Sequence, residues 1–263
     1  MDEDVAGIGP NQPDFDALAT RFRAPGIVAL VLMGSYARGD AGLFSDVDLV
    51  RFHAQGVASG SAETHFTGGN FVVVSDAYPE QIEDWFQDPE QASTTIAGLR
   101  SAQPLWDPDG FFSAIQARAN AFTWDAKMQA RADTWASSQM VGWIEEAQKG
   151  LAGLKTGHEG RLLNARFGLT WGMVKVLRVQ SGILISGDNG AYPELITFIG
   201  PDSRWSVLSR RAFGMDGASA LAGQVEAGLR LYAHTAELLA GILKPDDWRM
   251  VAEVVRRIEA ELP

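Results

Sequence analysis

The stretch Val31-Leu-Met-Gly-Ser-Tyr-Ala-Arg-Gly-Asp-Ala-Gly-Leu-Phe-Ser-Asp-Val-Asp-Leu-Val50 decides the reading of this chain. An apolar run, Ile27 to Met33, precedes its Gly-Ser pair, and Leu49, Val50 and Phe52 follow its two aspartates. Both runs read as strands. Two carboxylates two residues apart on a strand share a face, roughly 6.5–7 Å apart. Asp46 and Asp48 can therefore hold one or two divalent cations, which take hard oxygen ligands. Val47 between them points to the core. Gly34 lets the backbone turn sharply and approach an anion with no Cβ in the way. The Ser35 hydroxyl can donate to a phosphate oxygen. Residues 35–39 read as a short helix start with Gly39 as its stop, so backbone N–H groups face the same anion. A lone Asp-x-Asp is usually a polar strand end, and a lone Gly-Ser usually a loop. Together, each tied to a predicted strand, they point to nucleotide chemistry.

The stretch resembles the signature of the DNA polymerase β-like nucleotidyltransferase superfamily, a Gly-Ser followed at this distance by an Asp-x-Asp. The layout resembles the small antibiotic-modifying enzymes, the aminoglycoside and lincosamide nucleotidyltransferases, with a helical domain after the nucleotidyltransferase domain. The resemblance implies transfer of a nucleoside monophosphate, usually AMP from ATP, to a hydroxyl of a small acceptor, with antibiotic resistance as the setting. Pyrophosphate leaves. Gly34 and Ser35 would hold the β- and γ-phosphates, with Arg38 a further nucleotide-binding candidate, and Asp46 and Asp48 would hold Mg²⁺.

The superfamily usually adds a third carboxylate on a neighbouring strand. Residues 63–76 read as a β-hairpin turning at Gly68-Gly69. If Thr67 pairs with Asn70, one face carries Thr64, Phe66, Phe71, Val73 and Ser75, and reads as core. The other carries Glu63, His65, Val72, Val74 and Asp76, and is the candidate catalytic side. Asp76 or Glu63 is then the third acid, although Asp76 equally suits the N-cap of the helix that follows. A base from the helical region is the alternative, with Glu145 and Glu146 on a long predicted helix as candidates.

Residues 1–110 hold 17 of the 33 acids and 5 of the 22 basic residues, a net of −12, and the remainder is +1. Nucleic-acid binding usually shows a basic patch, so a polyanionic substrate is disfavoured, and a cationic acceptor suits the field. The chain has no cysteine, hence no disulfide and no thiolate metal site. It begins Met-Asp-Glu-Asp, with no signal-peptide pattern, and its apolar runs are short for a bilayer. A cytoplasmic protein is expected.

The predicted architecture is an α/β nucleotidyltransferase domain, a mixed sheet with helices, over residues 1–123, followed by an all-α bundle over 124–263 that binds the acceptor. Residues 1–13 read as a tail and 54–62 as a loop. Helices are expected at 14–22, 79–86, 92–100, 111–122, 125–154, 159–181, 192–199, 204–213, 217–243 and 246–261, with an edge strand at 104–106. Leu163, Phe167, Trp171, Val174 and Arg178 share one helical stripe that reads as core. Asn164, Arg166, Lys175 and Arg178 are placed to face a cleft, and Lys149 and Lys155 to approach a triphosphate. Trp135, Trp143 and Trp205 read as packing residues. Ser186 to Gly190 reads as a tight turn whose Asp188 suits a cationic acceptor. The rival readings are a nucleotide-binding relative without turnover and an antitoxin-like regulator, the latter without an Arg-x4–6-His toxin signature on a helix here.

Overall fold

The computed structural model describes residues 12–56, 62–217 and 220–262. Most of the tail and loop read over 1–13 and 54–62 lies outside them. The chain divides into two compact units, residues 1–123 with Leu184–Gly187, and Trp124–Ile183 with 188–263.

The first unit runs α1 (Phe15–Phe22), β1 (Ile27–Met33), α2 (Gly34–Arg38), β2 (Val47–His53), β3 (Glu63–Thr67), β4 (Asn70–Ala77), α3 (Pro79–Gln87), α4 (Pro89–Ser101), β5 (Gln103–Trp106) and α5 (Phe111–Ala121). Its sheet has the order β3-β4-β2-β1-β5. It is mixed: β2 is antiparallel to β1 but parallel to β4. The hairpin pairs Thr67 with Asn70 around Gly68-Gly69, both of which take positive φ. Pro104 is tolerated because β5 is an edge strand.

Alternation along these strands sets the two faces. Leu30, Leu32, Val47, Leu49, Val72 and Val74 form one core with Leu18 and Phe22 of α1. Asp14 caps α1 by accepting from the Ala17 N–H at 2.9 Å. On the opposite face Phe52 packs against Phe112 of α5, ring centroids 5.2 Å apart. Ala29, Val31, Ile96 and Leu99 are fully buried. α4 starts three residues earlier than its periodicity suggested, because Asp88 caps it (2.9 Å to the Gln91 N–H) and Pro89 takes the first helical position.

The second unit is helical: α6 (Ala126–Gly142), α7 (Ile144–Thr156), α8 (Glu159–Gln180), α9 (Ala191–Ile199), α10 (Arg204–Phe213), α11 (Leu221–Leu239) and α12 (Pro245–Glu261). The single helix expected over 125–154 is broken at Trp143, whose indole lies flat on Gly172 of α8. A Cβ there would stand 2.5 Å from Trp143 Cε2, and one on Gly168 would stand 2.5 Å from Glu146 Cγ. The two glycines thus seat the start of α7 on α8. They also decide which side of α8 is buried. Leu162, Ala165, Leu169 and Met173 face the core, whereas Leu163, Phe167 and Trp171 are exposed by 53, 71 and 45%. The stripe read as core is therefore largely a surface, because the small-residue side allows the closer helix approach. Trp205 is fully buried, its indole N–H donating to Thr235 Oγ1 at 2.9 Å. Among the described residues no helix is long and apolar enough to cross a membrane.

Gly172→Ala should destabilise the helical unit by about 1–3 kcal/mol through overpacking against Trp143. Urea denaturation followed by tryptophan emission checks this, and unchanged stability would refute the packing role.

Candidate nucleotide and metal site

β1 delivers the chain to Gly34, which takes φ +68, a conformation L side chains rarely adopt. Met33 pairs with Asp48 in the antiparallel register, so the β1 exit lies beside the second aspartate. A Cβ on Gly34 would stand 3.0 Å from Asp48 Cγ and nearer still to its Oδ2. The Asp48 carboxylate therefore lies directly over the turn, in space that only glycine leaves open. α2 follows and ends at Gly39, φ +81, whose N–H caps it by donating to the Ser35 and Tyr36 carbonyls. Gln103 on β5 donates to the Ala37 carbonyl at 2.7 Å and fixes the end of the helix. The chain returns through a turn in which the Gly42 N–H donates to Ser45 Oγ at 2.8 Å, immediately before Asp46. Asp46 and Asp48 are both half-buried.

These residues suit a Mg²⁺ ion that arrives with a triphosphate. Mg²⁺ is commonly held by one or two carboxylates plus substrate phosphates, keeping several waters. Gly34 lies against the Asp48 carboxylate, and Ser35 follows it in the chain. Among the described residues there is no group of three or more His, Cys, Asp or Glu side chains placed to hold a metal.

Residues 16–88, which span α1 to α3, match the nucleotidyltransferase domain family. This part of the chain is a nucleotidyltransferase domain. The solved structure of a nucleotidyltransferase-like protein from Exiguobacterium sibiricum 255-15 is similar over 93% of this chain and 78% of its own, with a TM-score of 0.50 and 9% identity. That likeness is one of fold. No curated protein matches the sequence.

Within the nucleotidyltransferase domain, register corrects the expected third acid. β2 and β4 pair Asp48 with Val73 and Arg51 with Asp76. Residues three apart on a strand point to opposite faces, so Asp76 lies behind the sheet from Asp48, not beside it. Glu63 pairs with Val74 and shares that back face. The two faces of the hairpin are thus reversed from the expectation: Val72 and Val74 are core, and Phe71 and Val73 share the face of Asp48. Asp76 does not cap α3 either, whose N-cap is Tyr78. Instead Arg51 grips it with two hydrogen bonds (2.8 and 2.7 Å) and reaches Glu63 at 2.9 Å, while His53 Nε2 lies 2.7 Å from Asp76 Oδ1. Burial raises the Asp76 pKa, but the hydrogen bonds and charge from Arg51 and His53 outweigh it and hold it below the usual carboxylate range. Glu63 is likewise lowered, first by its hydrogen bond from Arg51. Arg51 was the missed partner; its place on β2 is visible in the sequence, but its alignment with Asp76 needs the β2–β4 pairing.

Arg38 donates to Asp40 at 3.2 Å and to the Ser186 carbonyl at 2.9 Å. Ser186 lies in the segment that packs with the nucleotidyltransferase domain, where the N–H of buried Ile185 donates to the Ser93 carbonyl at 2.9 Å. In the helical unit, Lys149 bridges Glu145 at 2.7 Å and Glu146 at 3.0 Å. That hydrogen bond lowers the Glu145 pKa, the wrong direction for a base working near neutrality. Lys155 pairs with Glu261 at 3.3 Å, Arg166 donates to the Phe213 carbonyl at 2.9 Å, and Arg178 is buried. Asn164 lines an open cleft of about 620 Å³ with Glu145, Lys149, His158 and Arg161. Asp188 opens a short 3₁₀ turn.

Gly34→Ala should lower Mg-nucleotide affinity by about tenfold or more, since displacing Asp48 and straining the backbone each cost on the order of 1–3 kcal/mol. Calorimetric titration with unchanged affinity would refute the contact. The lowered Asp76 and Glu63 values carry a sign: their stabilisation is present above the unfolded carboxylate pKa, about 4, and is lost as pH falls through the folded values. The stability gap between wild type and Asp76→Asn should be widest near neutrality and close below about pH 4. Urea midpoints across pH test this.

Proposed function

We propose that the chain transfers a nucleoside monophosphate, AMP from ATP in the first instance, to a hydroxyl of a small and preferably cationic acceptor. The observation that carries this is the Asp48 carboxylate lying over Gly34 at the mouth of the β1–α2 turn. In the proposed reaction Gly34 and Ser35 would bind the β- and γ-phosphates, and Asp46 and Asp48 would hold Mg²⁺. The acceptor oxygen bonds to the α-phosphorus in line with the departing pyrophosphate, whose P–O bond breaks, and the acceptor proton passes to a base or to water. The bound cation would neutralise the charge that develops on the transferring phosphoryl and leaving oxygens. Asp46 and Asp48 serve as catalytic and metal residues in this reading, and Asp76 is withdrawn from it.

Arg38 positions α2 in this reading, since its guanidinium is already engaged by Asp40 and Ser186. The helical unit, proposed as the acceptor-binding domain over 124–263, offers exposed aromatic surface for a substrate floor. Phe167 and Trp171 are exposed, and Trp171 meets Phe213 edge-on at 4.9 Å. The −12 charge of residues 1–110 supports a cationic acceptor.

A second reading, a relative that binds nucleotide without turnover, is favoured by one observation: β4 places apolar residues beside the aspartate pair. Thermal unfolding with ATP, GTP, CTP or UTP, with and without Mg²⁺, separates these. A ligand bound only by the native state raises its stability, by about 2.7 kcal/mol at a hundredfold excess over Kd. Wild type should be stabilised in a Mg-dependent way, should release pyrophosphate with a suitable acceptor, and should lose both in Asp48→Asn. Stabilisation without pyrophosphate release across an acceptor panel favours the second reading. Wild-type turnover in Asp48→Asn would exclude the metal assignment.

A further inference from the structure

On the face of the sheet that carries Asp48, the adjoining positions of β1 and β4 offer no further carboxylate. Two-metal phosphoryl transfer places the ions about 3.5–4 Å apart, one on the attacking and one on the leaving oxygen. Each takes close to six oxygen ligands from carboxylates, phosphates and water, and a carboxylate on a neighbouring strand would add a protein ligand to the two that Asp46 and Asp48 supply. Neighbouring strands run about 4.8 Å to either side. On β4, Val73 stands level with Asp48, and Phe71 shares its face two residues earlier. On β1 the partner of Asp48 is Met33. All three are apolar and offer no ligand. The acids that β4 and β3 do carry, Asp76 and Glu63, are turned to the other face and bound by Arg51.

We propose that this is a one-metal site, in which Asp46 and Asp48 hold only the cation that travels with the triphosphate and Val73 occupies the position where a ligand for a second would stand. The inference rests on the nucleotide-binding reading above. It means that the acceptor oxygen has no ion of its own, so its activation falls to a side chain, to solvent or to the acceptor's own acidity.

The test counts ions and needs no turnover. The full chain is saturated singly with the α,β-methylene analogues of ATP, GTP, CTP and UTP in Mn²⁺, and bound Mn²⁺ per bound nucleotide is counted by electron paramagnetic resonance. Wild type should hold one, and Val73→Asp should hold two, a twofold rise. Phe71→Asp, at a position 39% exposed, gives the same test where Val73→Asp does not fold. Two ions per nucleotide in wild type would overturn the one-metal site and leave nucleotide binding standing. A count of one in both folded variants would overturn the role given to this strand face. Failure of every analogue to bind would overturn the proposed function, and this inference with it.

Discussion

The close approach of Asp48 to Gly34 is the constraint on which the candidate site depends. It requires three things at once. β1 and β2 must pair so that Met33 meets Asp48. The residue after Met33 must turn through positive φ, and it must carry no side chain. Any other residue there meets both a steric barrier in the backbone and a collision with the carboxylate. The contact is local, but what holds it is the sheet core: Leu30, Leu32, Val47 and Leu49 are essentially inaccessible, which fixes the register of the two strands.

That dependence explains what could be read from the sequence. The strands either side of the Gly-Ser turn, the hairpin closed at Thr67–Asn70 and the helical character after residue 111 follow from alternation, turn residues and helical periodicity, all short-range signals. The faces of the hairpin did not follow. Which side of β4 is core depends on its parallel partner β2, which lies some twenty residues earlier and sets the register through long-range pairing. Asp76, an acid at the right distance along the chain, is turned away by that register alone.

The same limit applied to α8. Leu163, Phe167 and Trp171 form as regular an apolar stripe as the row that is buried, so periodicity could not choose between them. The choice is made by Gly168 and Gly172, which admit the Trp143 ring and the Glu146 stem where larger residues would hold them off. A stripe of small residues wins the interior because close packing rewards near approach, and it leaves the larger residues outside. The result is an aromatic surface on a helical unit, in a chain whose N-terminal unit carries the excess of acid.

Arg51 and Arg38, two cations on the elements that flank the Asp46–Asp48 pair, are both assigned to other work. Arg51 is on the back face and binds Asp76 and Glu63. Arg38 is spent on Asp40 and on a carbonyl of residues 184–187. In the proposed reading the charge of a triphosphate would therefore fall to backbone N–H groups, to Ser35 and above all to a cation held by Asp46 and Asp48. On the proposed function such a site would bind nucleotide only as its metal complex, because without the cation the two carboxylates would repel the phosphates.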